Sequence, residues 1–428
     1  MSDGAHTERG VAEPGRRRGT NLPAMADFNQ LVILDAVRRS PAGLSRVELA
    51  VLTGLSAQTV TNITRRLLDA ALIVEAGKES IGPGKPRTIL RLNPPALYAV
   101  GVHLDPTVTT AVLLDLAGDV VLERRILTPL GQHPETAIDA LVEMVEGVLT
   151  DSAVDRARVA GMGIAAPGPI DPIAGALVEP PHLPGWHSVP LRDELSRRLG
   201  LVTVLEKDVA AATIAELWAG TPAASTGSFV FLYLGTGLGA GLAINHEVVR
   251  GSLANAGEIG HIVVVEDGPP CWCGLRGCVA VTCTPEAIVR DAIAEGLLDS
   301  LDSGDDTTAV DAALTMLAAR AEAGEAGAVA VLDRAAARIA RALAVIANLL
   351  DLDRIVLGGP IWNRVADRFV TIIPAELDRM RAARSIHPVA IGGTTLGDAV
   401  AAMGAASLVL DRWFSPRTES LLLPSSSA

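Results

Sequence analysis

Residues 229–244 read FVFLYLGTGLGAGLAI, an apolar run, a Gly-Thr-Gly interruption and a second run of apolar and small residues. Two such runs around a glycine-rich turn predict a pair of buried strands joined as a hairpin. The same texture recurs outward from it, in YAVGVHL (98–104), TTAVLLDL (109–116), RVAGMGIAA (158–166), VTVLEKD (202–208) and RIVLGG (354–359). Helical stretches lie between these runs, with long Ala-rich ones between about 308 and 350. Strands that alternate with helices predict an α/β domain, and its length favours two lobes. Ligands in such folds sit at the carboxyl ends of strands or between lobes.

The whole chain allows a large core. At 428 residues and 49% hydrophobic it should divide into two or three domains. No apolar run reaches the roughly 18 residues that a membrane span needs, and the first thirty residues lack the apolar core of a secretory signal. A soluble, cytoplasmic protein with reduced cysteines and no membrane partner is the expectation.

Charge is divided unevenly. The chain carries −13 overall, yet residues 1–96 hold 13 Lys or Arg against 9 Asp or Glu. The rest is strongly acidic and would repel phosphates, so contact with nucleic acid belongs to the front.

There the pattern is compact. Phe28, Leu31, Val32, Ile33, Leu34 and Val37 recur at helical spacing; LSRVELAVLTGL predicts a second, short helix ending at Gly54; SAQTVTNITRRLLDAALI predicts a third, capped by Ser56. IVEAGKESIGPGKPRTILRL then reads as two strands around a Gly/Pro hairpin. Together these predict a winged helix-turn-helix bound to a double-stranded DNA operator. Its third helix would offer Ser56, Gln58, Thr59, Thr61, Asn62 and Arg65 to the major groove, and Lys85 and Arg87 of the wing would meet phosphates or the minor groove. A helical docking module with a polar surface is the plainer alternative.

Three of the four cysteines lie in CWCGLRGC, residues 271–278. With His261 ahead of them, Cys271, Cys273 and Cys278 supply the Cys3His set of a tetrahedral structural zinc, and C-x-C is too tight for a thioredoxin-type motif. Gly274 and Gly277 would let the chain turn between the sulfurs. A buried thiol cluster is the alternative, and Cys283 reads as a core residue.

The order of motifs carries a resemblance. APGPIDPIAGALVEPPHLPGWHSVPLRDEL, EKDVAAATIAE, YLGTGLGAGL, AGEIGH, CWCGLRGC, RIVLGG and GDAVAAMGAA resemble successive motifs of the ROK family of sugar kinases and sugar-responsive repressors, over about residues 98–412. A winged helix-turn-helix in front of such a domain is the arrangement of the family's repressor branch. The resemblance implies a two-lobed, actin-like and sugar-kinase-like (ribonuclease H-like) domain. It divides the chain into a tail (1–24), a DNA-binding domain (25–96), a first lobe (97–207 with 396–414), a second lobe with the zinc site and dimer helices (208–395) and a second tail (415–428). It also implies a homodimer or a dimer of dimers.

For the site, the resemblance implies that His261, Cys271, Cys273 and Cys278 hold zinc in a loop that presents Glu258 and His261 to a sugar. Asp208 matches the family's catalytic base, and Gly235, Thr236 and Gly237, with Gly358 and Gly359, match its phosphate loops. Three departures weaken a kinase. The family opens its first loop with Asp followed by Gly-Gly-Thr, whereas GVHLDPT places His103 at the Asp and Asp105 and Pro106 at the glycines. Proline removes an N–H and the Asp brings negative charge toward phosphates, so neither ATP nor its magnesium is expected here. A sugar-contacting Asn is replaced by Lys207 and a sugar-contacting Glu by Ala280.

Lys207 is one of three lysines in the chain, with Lys78 and Lys85. It either recognises a negatively charged effector, such as a sugar phosphate, or pairs with a nearby carboxylate or faces solvent. The expected protein is a sugar-responsive regulator of transcription, a repressor, whose Asp208 is a vestigial base. An active ATP-dependent sugar kinase with a DNA-binding domain is the alternative.

Overall fold

The computed structural model describes residues 22–79, 86–129, 133–219, 227–301 and 306–414. The described residues form two compact units, those up to residue 93 with those from 412 onward, and those between 94 and 411. The expected tails lie largely outside the described residues, although the first helix already begins at Leu22, inside the expected one.

In the first unit, α1 (Leu22–Arg38) is followed by β1 (Leu44–Ser45), α2 (Arg46–Thr53), α3 (Ala57–Asp69), β2 (Ile73–Glu79) and β3 (Arg87–Leu92). The strands form an antiparallel sheet in the order β1-β3-β2. Local chemistry sets each boundary. Ser45 Oγ accepts from the Glu48 amide while Glu48 accepts from the Ser45 amide, a reciprocal pair that opens α2. Gly54 closes α2 in the left-handed region, and Ser56 Oγ accepts from the Thr59 amide to open α3. In α3 the residues Val60, Ile63, Thr64 and Leu67 are buried, which is one helical stripe. Ile33, Leu34, Leu49, Ile73 and Leu90 are buried in the same unit.

The second unit opens with β4 (Tyr98–His103), β5 (Val108–Asp115), β6 (Val120–Leu127), α4 (Pro134–Asp151) and β7 (Val159–Ala166). Three short strands follow, β8 (Ile170–Asp171), β9 (Ala176–Val178) and β10 (His187–Val189), then α5 (Leu191–Leu199), β11 (Thr203–Lys207) and α6 (Asp208–Ala219). Next come β12 (Phe229–Leu234), β13 (Leu238–Ile244), β14 (Glu247–Val248), α7 (Val279–Thr282), α8 (Pro285–Ala294), α9 (Thr307–Glu322) and α10 (Ala326–Leu350). The unit ends with β15 (Arg354–Gly358), α11 (Trp362–Met380), β16 (Ala390–Gly393) and most of α12 (Val400–Phe414).

Its two large sheets share one topology. The orders are β6-β5-β4-β7-β11 and β14-β13-β12-β15-β16. In each, three strands meander antiparallel and two more return parallel to the first. The parallel returns need crossovers, which α4 and α5 supply in the first lobe. Strands β4 and β12, the first of each sheet, are apolar on both faces because helices cover them.

Each lobe has its own core. Val100, Val102, Leu141, Val145, Ile164 and Leu195 anchor the first; Val230, Leu232, Leu314, Leu343, Ile355 and Phe369 anchor the second. Trp186 and Trp218 are buried. Helix α12 lies so close to the first sheet that a Cβ on Gly163 would stand 1.9 Å from the Ala405 carbonyl oxygen.

Candidate effector site and metal centre

The carboxyl ends of β11 and β12 and the loop after β14 bring the candidate residues together. Lys207 ends β11 and Asp208 begins α6. Asp208 Oδ1 accepts from the Val209 amide at 2.7 Å. Burial pushes its carboxyl up to about 7, against the opposing pull of the Lys207 ammonium.

Lys207 is 6% exposed, and its Nζ lies 3.8 Å from Glu258 Oε2. Of the readings open for Lys207, the structure shows the ion pair. The Lys207 stem fills the space over Gly168, where a Cβ would stand 2.9 Å from its Cε. Glu258 Oε1 accepts from the Gly260 amide at 3.0 Å, while Oε2 is the oxygen nearest Lys207.

The loop from Glu258 to Cys278 is tied by its donors. His261, Cys271, Cys273 and Cys278 place one ligand atom each within 4.8 Å of one another. His261 Nδ1 is 3.5 Å from Cys271 Sγ, and Cys273 Sγ is 3.7 Å from Cys278 Sγ. A tetrahedral zinc shell has edges of about 3.5 Å between nitrogen and sulfur and about 3.8 Å between sulfurs, so the set fits the ion. Burial and the neighbouring thiols push Cys278 up to about 12, which is the cost of gathering thiols without a cation. Gly277 closes the loop at φ +67°, with the site of a Cβ only 1.6 Å from the Val265 carbonyl oxygen. Cys283 is buried beside Thr282 in the core, apart from the four donors.

The glycines expected as phosphate-loop remnants meet at the ends of adjacent strands. Gly235, Thr236 and Gly237 form the β12–β13 turn, and Gly358 pairs in register with Tyr233 of β12. Gly359 packs on the Leu234 carbonyl. Facing this turn, Asp105 accepts from Thr236 Oγ1 at 2.9 Å. His103 Nε2 lies 3.4 Å from the Tyr233 hydroxyl, and burial lowers its affinity for a second proton.

Two residues of this site escaped the sequence reading. Asn255 donates to the Ile170 carbonyl and accepts from its amide, both at 2.8 Å, and so fastens the loop after β14 to β8. Arg250 donates to the buried Glu206 at 2.7 Å, beside Lys207. Neither lies in a motif, and each partner is far away in sequence, so no local signal marks them.

On the first unit, Gln58, Thr61, Asn62 and Arg65 are exposed on one face of α3, with Thr59 half-buried. Gln58 donates to Asn62 at 3.1 Å. Ser56 spends its hydroxyl on the cap and Thr61 bonds the Ala57 carbonyl, which leaves the amides and Arg65 as the outward groups. Glu48 of α2 and Glu79 of β2 both pair with the Arg87 guanidinium. Lys85 lies outside the described residues.

The family model described as "ROK family" matches residues 99–412. A putative xylose repressor of Caldicellulosiruptor sp. (strain Rt8B.4) is 24% identical over 91% of this chain and 97% of its own length. The dual regulator NagC of Escherichia coli K12 is 26% identical over 78% of this chain and 79% of its own. Among solved structures, a ROK family transcriptional regulator homologous to E. coli MLC superposes with a TM-score of 0.74 at 24% identity, over 92% of this chain and 98% of that one. A ROK family glucokinase from Streptomyces griseus, solved with glucose and AMPPNP, superposes with a TM-score of 0.59 at 26% identity, over 73% of this chain and 98% of that one. The family match runs through both lobes and the Cys/His loop, and by it the chain belongs to the ROK family.

Proposed function

We propose that this ROK chain is a sugar-responsive, DNA-binding regulator of transcription, a repressor of carbohydrate genes. One observation carries the reading. The repressor relative and the regulator structure align over 91% and 92% of the chain, whereas the glucokinase structure covers 73%. The N-terminal unit accounts for the difference, and its polar α3 face with a β2–β3 hairpin behind it suits a winged helix-turn-helix. Gln58, Asn62 and Arg65 carry the amide and guanidinium groups that read base edges in the major groove.

The effector pocket is formed by Asp208, Glu258 and His261, with Lys207 between the two carboxylates. Carboxylates accept from sugar hydroxyls, and the Lys207 charge is already compensated, so a neutral sugar fits better than a sugar phosphate. A structural zinc on His261, Cys271, Cys273 and Cys278 would fix the loop that carries Glu258. Its four-ligand shell supplies rigidity and no open position for a reacting water. A sugar that contacts both lobes favours one lobe arrangement, and in a dimer that changes the spacing of the two DNA-binding units.

Capture of fragmented genomic DNA by the zinc-loaded chain at physiological salt, with and without a panel of neutral sugars and sugar phosphates, tests the proposal. A few sites that share a palindrome and are released by one neutral sugar are expected. Diffuse, salt-sensitive capture with no response to any sugar would overturn it. Sugar-dependent ADP release that Asp208→Asn abolishes would instead favour the kinase reading.

A further inference from the structure

The two lobes of the second unit meet through the ends of their equivalent strands. The turn after β4 carries Asp105, and the turn after β12 carries Thr236. Asp105 is 6% exposed, so its carboxylate needs partners. Oδ1 accepts from the Thr107 amide at 2.8 Å, from the Val108 amide at 3.4 Å and from Thr236 Oγ1 at 2.9 Å; Thr236 Oγ1 is also 3.2 Å from Oδ2. Thr107 Oγ1 stands 3.2 Å from Thr236 Oγ1, which closes the ring of donors. Backbone N–H groups of one turn and a hydroxyl of the opposite turn converging on one anion form the arrangement that also receives a phosphate oxygen. The related glucokinase was solved with the triphosphate analogue AMPPNP, whereas here a side chain of the chain itself occupies the donors.

Behind this contact, His103 and Tyr233 repeat the link between β4 and β12, with their rings edge to face at 5.8 Å. Pro106 offers no N–H beside Asp105. The family's nucleotide therefore does not fit: a polyphosphate brought to this turn meets a carboxylate that already holds its donors.

We infer that Asp105 is a tethered anion standing in for a bound polyphosphate, and that it latches the two lobes together at this end of the cleft without any nucleotide. The inference concerns residues 94–411 alone and stands whether or not the first unit binds DNA.

Hydrogen exchange and thermal unfolding of the full, zinc-loaded chain test it, with inorganic pyrophosphate and AMPPNP as probes. Asp105→Ala should exchange about tenfold faster in both turns, residues 103–110 and 233–240, as loss of a charge-assisted hydrogen bond gives. Pyrophosphate should then restore protection and raise Tm in the variant, and leave the unaltered chain unmoved. Faster exchange confined to 103–110 would reduce Asp105 to a local turn brace and overturn the latch. Faster exchange in both turns without rescue by pyrophosphate would overturn the surrogate role, and so would stabilisation of the unaltered chain by AMPPNP. Should Asp105→Ala fail to fold, Thr236→Val decides. It keeps the carboxylate and removes the opposite lobe's donor, so unchanged exchange at 103–110 would sink the inference.

Discussion

The Lys207 ammonium lies 3.8 Å from Oε2 of Glu258, and it draws the neighbouring Asp208 carboxyl down against the effect of burial. The cation of β11 is thereby paired with a largely exposed carboxylate, Glu258, and stands beside the buried Asp208, whose carboxyl is raised to about 7. Lys207→Asn should weaken binding of the effector without changing its charge preference, as read by calorimetric titration with a neutral sugar and its phosphate ester. A sugar phosphate that binds at least about tenfold tighter than the neutral sugar, with that gain lost in Lys207→Asn, would make Lys207 an anion receptor.

Asp208 sets a pH dependence whose sign follows from its raised value. Its carboxyl titrates at about 7 in the folded chain and near 3.8 when unfolded. The folded state therefore holds a proton over that window, and the stability this group contributes is full below about pH 4 and lost as pH rises through 7. Asp208→Asn, which cannot ionise, should raise Tm over the parent at pH 8 and leave the two alike near pH 4. Equal differences at both pH values in a thermal scan would show that Asp208 ionises freely in the cleft.

What could be read in advance was what is local in the chain. The boundaries of α2 and α3 follow from Ser45, Glu48, Gly54 and Ser56, each acting within four residues, and the four metal donors lie between positions 261 and 278. The repeated topology of the two sheets had no local sign, because strand order depends on crossovers and leaves no repeat in the residues. Asn255 pairs with Ile170 across 85 positions, so it reads as an unremarkable loop residue; Asp105 stands out in the sequence as a charge in the first loop, but its pairing with Thr236 across 131 positions has no local sign. Arg87 was legible as a charge near a hairpin, but its partner Glu48 comes from helix α2, 39 positions away, and no local signal marks that pairing.

The metal loop links stability to response. Metal analysis should find one zinc per chain, and Cys278→Ser should reduce it well below one, since the remaining donors no longer close a tetrahedron. Glu258 and His261 belong to the same loop, so the metal-free chain should lose its release by sugar. The first unit is built from other residues, and DNA binding measured by fluorescence anisotropy should persist. Loss of DNA binding together with the sugar response would mean that the metal holds the whole fold and not the effector loop.

Two arginines of the first unit should behave oppositely. Arg65 is exposed on the α3 face that carries Gln58 and Asn62, whereas Arg87 is held by Glu48 and Glu79. Phosphate or base contact by Arg65 releases counterions, so Arg65→Ala should lower the salt slope of operator binding by about 1 and weaken binding roughly tenfold. Gln58→Ala, which removes an amide from the same face, should relax preference at one base pair and leave the salt slope alone. Arg87→Ala should instead lower the melting temperature of the N-terminal unit while keeping the slope, because its charge is already neutralised by carboxylates of the protein. A slope unchanged in Arg65→Ala and reduced in Arg87→Ala would place the hairpin, and not α3, against the DNA backbone.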